Sequence, residues 1–321
     1  MDISYLLRDC ADSNTKNSWL ELSQAYFNKK DYVSAYWAAK QSEKTEKTDE
    51  PLWEHWVHDL IGNSAFQLKL YDESLKHMVK AWEKAKWDTR MAQNAAFIRK
   101  FKNKHRYKIL WPTIRPKIMK EQYKLWLQID NPTKIDITIA VNTQEQADQL
   151  IEFDNIIICG DDKKGVTHAA TKLSQNVKTL PGDIIILASD DFYPPKDWDK
   201  LLRPHFDNFH GCIRVNDTSD RERVITIPIM DYYCLTRLNN IIYHPSYIHL
   251  YSDNELYDNV ESLGLLKDKC EDNELIFKHK HWYDGQREHD DNDIFFLSCQ
   301  ERDRKNYIER VNYTLQEKLK V

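Results

Sequence analysis

The chain has 321 residues, 41% of them apolar and 30% charged, with a net charge of −5. That length suits two domains with a sizeable core, the balance excludes a disordered chain, and the acidity argues against wholesale nucleic-acid binding. Only seven glycines occur, and neither G-x-x-x-x-G-K-[ST] nor G-x-G-x-x-G is present, which removes P-loop and dinucleotide-binding readings. The six cysteines are scattered with no Cys-x-x-Cys pair, the pattern of free thiols in a reducing compartment and not of a zinc site. The opening Met-Asp-Ile-Ser-Tyr has no basic stretch leading into an apolar one, and no eighteen consecutive residues are apolar. A cytoplasmic protein without a membrane span is expected, in the host cytoplasm if the source is viral. The richness in Lys, Asn, Asp and Ile fits an AT-rich viral or bacterial genome.

Residues 1 to 104 read as helical throughout. Trp19, Leu22 and Tyr26, then Tyr32, Ala35 and Ala39, follow three-and-four spacing around a turn at Asn28 to Asp31. A weaker copy runs from His55 to Lys84, with Gly62 at the place of Ser23 and Ser74 at the place of Ala35. The copies lie 39 residues apart, and Glu43 to Pro51 absorbs the excess over the usual period. The pair resembles tetratricopeptide repeats. Such an annex either offers a platform to a partner protein or only stabilises its neighbour. The run Arg99 to Lys108 is strongly basic with two aromatics, suited to phosphate contact or to a solvated helix face before a domain boundary.

From Tyr107 the period changes. Strands are expected at Tyr107 to Trp111, Ile135 to Val141, Asn155 to Cys159 and Asp183 to Ala188. Helices are expected at Ile114 to Leu127 and Thr167 to Val177. This alternation predicts βαβ units and a parallel sheet. The runs within Gly211 to Asn240, such as Val224 to Met230, are expected as antiparallel additions. Three segments follow: a helical domain over 1–104, an α/β domain over 105–300 and a charged helix over 301–321. Ile184 to Ala188 is apolar at every position, as in a strand covered on both faces, and it runs into Asp190 and Asp191. Open α/β sheets bind ligands at that strand end, and two hard oxygen donors there point to a divalent cation, or else to a solvated, helix-capping turn.

The order strand, Pro112-Thr113, Arg115-Pro116, helix, two strands, Asp161-Asp162 with Gly165, helix, strand and Ala188-Ser189-Asp190-Asp191, followed late by His279-Lys280-His281-Trp282, resembles the inverting nucleotide-sugar glycosyltransferases of the GT-A fold. The resemblance covers Tyr107 to Asp293. It implies a Rossmann-like mixed sheet and a nucleoside-diphosphate sugar donor. It places Pro112, Thr113, Arg115, Asp161, Asp162 and Asp190 around the nucleotide. It puts Mn²⁺ or Mg²⁺ on Asp191, Asp190, His281 and His279. It gives the role of base to Asp253, with Glu255 as alternate, at a helix start where either Ser252 or Asp253 could instead be a plain cap. The Asp-x-Asp motif of the family is irregular here, because Ala188 holds the place of its first aspartate. The implied acceptor is a glycan, a protein or a hydroxylated base in viral DNA. A competing expectation is a repeat-type scaffold protein with a degenerate transferase half. A third is a metal-dependent hydrolase built on His279, His281, Asp190 and Asp191.

Overall fold

The structure, a computed structural model, describes residues 2–46, 54–102, 105–160, 165–207, 209–219, 221–280 and 291–320. The chain divides into two compact units, one of residues 1–105 with 180–182 and one of residues 106–179 with 183–321. The architecture is α/β, a helical N-terminal unit and a unit built on a mostly parallel mixed sheet.

The first unit contains six helices among the described residues: α1 (Ile3–Ser13), α2 (Lys16–Asn28), α3 (Tyr32–Lys44), α4 (Glu54–Gln67), α5 (Tyr71–Lys84) and α6 (Thr89–Phe101). Local chemistry fixes their ends. Thr15 and Ser18 form a capping box at the start of α2, and Asp31 caps α3 by accepting from the Ser34 N–H. The 39-residue repeat is written into the geometry. Lys30 and Lys69 both take the left-handed conformation at the hairpin turns, with φ of 62° and 64°. Phe27 meets Tyr32 across the first turn at 5.4 Å, and Phe66 meets Tyr71 across the second at 5.6 Å. Ser23 Oγ donates to the Ala35 carbonyl at 2.8 Å in one hairpin, and Ser74 Oγ donates to the Gly62 carbonyl at 2.8 Å in the other. The same helix-to-helix contact is thus made twice, with the hydroxyl on opposite helices. Charges of the basic run are engaged: Arg99 is buried and donates to the Pro181 carbonyl, Lys102 pairs with Asp72, and in the second unit Lys108 pairs with Asp136.

The second unit holds β1 (Tyr107–Pro112), α7 (Pro116–Trp126), β2 (Ile135–Val141), α8 (Gln144–Asp148), β3 (Ile156–Ile158), α9 (Gly165–Asn176), β4 (Ile184–Leu187) and β5 (Phe192–Tyr193). There follow α10 (Trp198–Leu202), β6 (Cys212–Val215), β7 (Ile229–Asp231), α11 (Tyr232–Arg237), α12 (Ser252–Ser262), β8 (Leu266–Lys269), β9 (Lys278–His279), α13 (Asp291–Ser298), α14 (Gln300–Arg310) and α15 (Leu315–Lys318). Seven strands form one sheet in the order β3-β2-β1-β4-β7-β6-β8, and β5 pairs with β9 in a separate ribbon. β1 to β4 run parallel, β7 is antiparallel to both β4 and β6, and β8 is parallel to β6. The all-apolar β4 is buried at each of its four positions, as a central strand must be. Aromatic side chains fill one side of the core: Trp126 lies 6.0 Å from Trp111, 5.6 Å from Trp198 and 5.9 Å from Phe277, all in edge or tilted contact.

Three expected elements change. The helix after β1 starts at Pro116 and not at Ile114, because a proline fits the first helical position and pushes the residue before it out of helix. Of the run Val224 to Met230, only the end at Ile229 enters the sheet; Ile225 and Ile227 are buried by loop packing without a ladder. The C-terminal segment is not one charged helix but α14 and α15, and its Asp303 and Arg310 are buried. No helix among the described residues is long and apolar enough to cross a membrane.

Candidate functional site

Register builds the site. Leu110 of β1 stands opposite Leu187 of β4, and the two parallel strands end side by side. Three residues beyond that pair, Thr113 and Asp190 meet: Thr113 Oγ1 donates to Asp190 Oδ2 at 2.9 Å. Trp111 Nε1 donates to Asp190 Oδ1 at 2.9 Å, and Arg115 Nε reaches Oδ2 at 3.3 Å. The Thr113 hydroxyl also accepts from the Arg115 N–H, which shapes the loop before α7. Burial pushes the Asp190 carboxyl up to about 6, against the opposing pull of Arg115, Trp111 and Thr113.

A tight turn closed by Phe192 N–H to the Ser189 carbonyl carries Asp191 just beyond. The β5–β9 ribbon brings His279 to it: Phe192 is paired with His279, and His279 Nε2 lies 3.4 Å from Asp191 Oδ2. The Asp191 carbonyl accepts from the Lys280 N–H at 3.0 Å. Desolvation acts to raise the Asp191 carboxyl, but the hydrogen bond and charge of His279 outweigh it and hold the group well below the usual carboxylate range. The remaining oxygen, Oδ1, is buried without a hydrogen-bond partner among the described residues. An ionised oxygen in that position is costly unless something cationic meets it.

Asp253 opens α12 after Tyr251, which sits in the left-handed region at φ 65°. Burial raises its carboxyl above the ordinary value, opposed by hydrogen bonding at its own helix N-terminus and by the charges of Arg221 and His279. Asp253 and Asp191 therefore share one electrostatic neighbour, His279. The segment before α12 is pinned from two sides. Asp303, fully buried on α14, accepts the N–H groups of Ile248, His249 and Leu250 at 2.9–3.2 Å. On the other side Thr167 and Thr171 of α9 donate to the carbonyls of Tyr247 and Tyr243, and Ser174 to that of Asn240. Gly165 lets the chains come this close: it has φ +70°, and a Cβ there would stand 2.1 Å from the Ile248 carbonyl oxygen.

Several expectations are redrawn by this geometry. Glu255, expected as the alternate base, has both oxygens engaged: each receives Arg310 at 2.8 Å and one also receives Tyr247 Oη at 2.6 Å. It anchors α14 to α12. Asp190 commits both oxygens to Trp111, Thr113 and Arg115, whereas Asp191 keeps one oxygen, Oδ1, without a hydrogen-bond partner among the described residues. Pro112 ends β1, and Arg115 lines an open cleft of about 500 Å³ with Ile114, Thr143 and Gln146 at the ends of β1 and β2. Asp161, Asp162 and His281 lie outside the described residues.

No protein family matches the chain as a whole or in part, and no curated protein matches it. Among solved structures it is similar to a mutant of the O-GlcNAc transferase of Thermobaculum terrenum, at 10% identity and a TM-score of 0.27. The match covers 54% of this chain and 40% of that one, so the chain spans well under half of that protein's length. A likeness of that degree decides neither fold nor activity.

Sequence reasoning missed Trp111 as a partner of Asp190, and it missed Asp303 and Arg310 altogether. The hydroxyls at Thr167, Thr171 and Ser174 carried a readable signal, since their spacing of four and three lines one helix face. Asp303 carried none, for its partners lie 53–55 residues away.

Proposed function

We propose that the second unit is a GT-A-type glycosyltransferase that moves a sugar from a nucleoside-diphosphate sugar to an acceptor hydroxyl with inversion. The observation that carries this reading is the convergence at the β4 end: a buried Asp191 oxygen without a partner among the described residues, His279 beside it, and Asp253 under the influence of the same histidine. The strand order, with one antiparallel strand inside an otherwise parallel core, supports the fold assignment. The donor set of one available carboxylate oxygen and one imidazole fits a divalent ion. Mg²⁺ or Mn²⁺ held by Asp191 and His279 would offset charge on the departing diphosphate.

The chain's own residues do the rest. Arg115, at the mouth of the cleft, offers the planar fork that suits diphosphate oxygens. Asp190 fixes the Arg115 and Thr113 side chains in place. Asp253 takes the acceptor hydroxyl proton, a task for which its burial-raised basicity suits it better than an exposed carboxylate. The acceptor oxygen then bonds to the anomeric carbon as the carbon–oxygen bond to the diphosphate breaks, and the electron pair leaves with the nucleoside diphosphate. The acceptor is a hydroxyl on a glycan, a protein or a hydroxylated DNA base.

Two measurements test the reading. Calorimetry with UDP, GDP, ADP and CDP in the presence of Mn²⁺ should give heat with at least one nucleotide, and a mass-spectrometric screen of nucleotide sugars should find turnover. Asp191→Asn and Asp253→Asn proteins that turn over every accepted donor at the normal rate would show the mechanism to be wrong.

A further inference from the structure

The first unit has a buried polar cluster that its repeat does not need. His58 of α4 and His77 of α5 bring their Nδ1 atoms to 3.1 Å of each other, and Glu43 of α3 directs Oε1 at both, 3.8 Å and 3.9 Å away. Shifted back by the 39-residue repeat, His58 corresponds to Trp19 and His77 to Ala38. Those two belong to one apolar cluster with Leu6, Cys10 and Leu22. The same fold therefore fills these positions with hydrocarbon in one hairpin and with two imidazoles in the other. Burying two imidazoles where a tryptophan and an alanine suffice calls for a reason other than packing.

We propose that Glu43, His58 and His77 form a binding site for a divalent transition-metal ion of the zinc class. Two imidazoles and a carboxylate are the donor types such ions prefer, and three protein ligands leave one coordination position open. At a usual zinc–nitrogen distance of about 2.0–2.1 Å, a 3.1 Å separation of the two nitrogens corresponds to an angle of roughly 100°, close to tetrahedral. The Glu43 oxygen needs only a few tenths of an ångström to join them. Glu43 Oε2 is held by Lys40 at 2.5 Å, which turns Oε1 toward the rings.

The surrounding shell favours the same reading. Glu73 Oε1 lies 3.0 Å from His77 Nε2 and accepts a hydrogen bond from an N–H there, which leaves His77 Nδ1 bare and facing the centre. His58 then donates its Nδ1 proton to His77 when no ion is bound, and moves that proton to Nε2 when one is. The competing cation is Lys80, whose Nζ stands 3.7 Å from the same Glu43 oxygen on a side chain that is 41% exposed and can swing into water. Glu43, 24% exposed, provides the entry side, while His77 is closed off.

The test uses the full chain carrying Asp191→Asn, so that an ion at the sheet edge of the second unit does not contribute. The protein is stripped with chelator, titrated with Co²⁺ while the visible d–d absorption is followed, then challenged with Zn²⁺ and assayed for metal content after gel filtration. One equivalent is expected, with the cobalt band displaced by zinc. Installing the first-repeat pair, His58→Trp with His77→Ala, should keep the helical far-ultraviolet signal and weaken binding at least 100-fold. Glu43→Gln should weaken it about tenfold. A stripped protein that takes up no equivalent of either ion, or a folded His58→Trp, His77→Ala protein that keeps it, overturns the proposal.

Discussion

Replacing Asp303 tests how the segment leading to Asp253 is held. The carboxylate accepts four contacts from three consecutive N–H groups, two of them from Ile248 at 3.0 Å and 3.2 Å. In Asp303→Asn one oxygen can still serve His249 and Leu250, but the new amide nitrogen would face the Ile248 N–H donor to donor. Ile248 then keeps only its longer contact of 3.2 Å with the retained oxygen, and the loss of the charge and of the shorter bond costs about 1.5–3 kcal/mol. Asp303→Ala removes all four contacts and should cost roughly 3–5 kcal/mol, with water entering the space to offset the remainder. The assay is hydrogen exchange of residues 248–250 followed by mass spectrometry, alongside thermal unfolding. A loss of about 3 kcal/mol corresponds to a drop in amide protection of about 100-fold or somewhat more if the segment opens locally. Protection and unfolding temperature equal to wild type in the alanine variant would refute the account.

Glu255→Gln, which breaks the buried pair with Arg310, should destabilise the protein by about 3–5 kcal/mol in urea unfolding, whereas Asp253→Asn should leave stability within about 1 kcal/mol and lower transfer by roughly 10²–10⁴. Equal stability losses in the two would contradict the separate roles given to them. Because Asp190 is raised from 3.8 to about 6, the folded state binds more protons than the unfolded one between those values, and its contribution to stability falls as pH rises through that window by up to roughly 3 kcal/mol. The lowered Asp191 acts in the opposite sense and only below 3.8, so the two do not overlap. The stability difference between wild type and Asp190→Asn, from urea midpoints at pH 4.5 and pH 7, should therefore shift against wild type at the higher pH; a constant difference would count against the burial argument. Gly165→Ala should cost more than about 2 kcal/mol in thermal unfolding, because it sets a Cβ against the Ile248 carbonyl at a positive φ. A neutral outcome would mean that α9 and the segment at 248 are not in close approach.

The elements with a strong period were legible in the sequence. β2 runs over the expected Ile135–Val141, and the hairpin α2–α3 turns at Asn28 to Asp31 because its apolar spacing and turn residues agree. β4 could be read from an unbroken apolar run, which only a central strand tolerates. Legibility failed where the deciding partner lay far along the chain. Glu255 looked like a first-turn acid on a helix, and nothing near it in sequence announces Arg310. Nothing near Asp190 in sequence announces Trp111 and Thr113, which the parallel register brings alongside it. His58 and His77 stood inside an expected repeat, yet their meaning appears only when the 39-residue offset is applied to a packed structure.

The clasp on the segment before Asp253 has a consequence for the order in which the protein is made. Ile248 leaves the ribosome 55 residues ahead of the carboxylate that receives its N–H. Asn239 and His244 likewise wait for the carbonyls of Leu319 and Lys320. During synthesis the sheet, the β4 turn and α9 can assemble while this segment still lacks its anchor. The geometry around Asp253 is thus locked late in the second unit, and a nascent chain stalled before Asp303 would carry its sheet without this clasp.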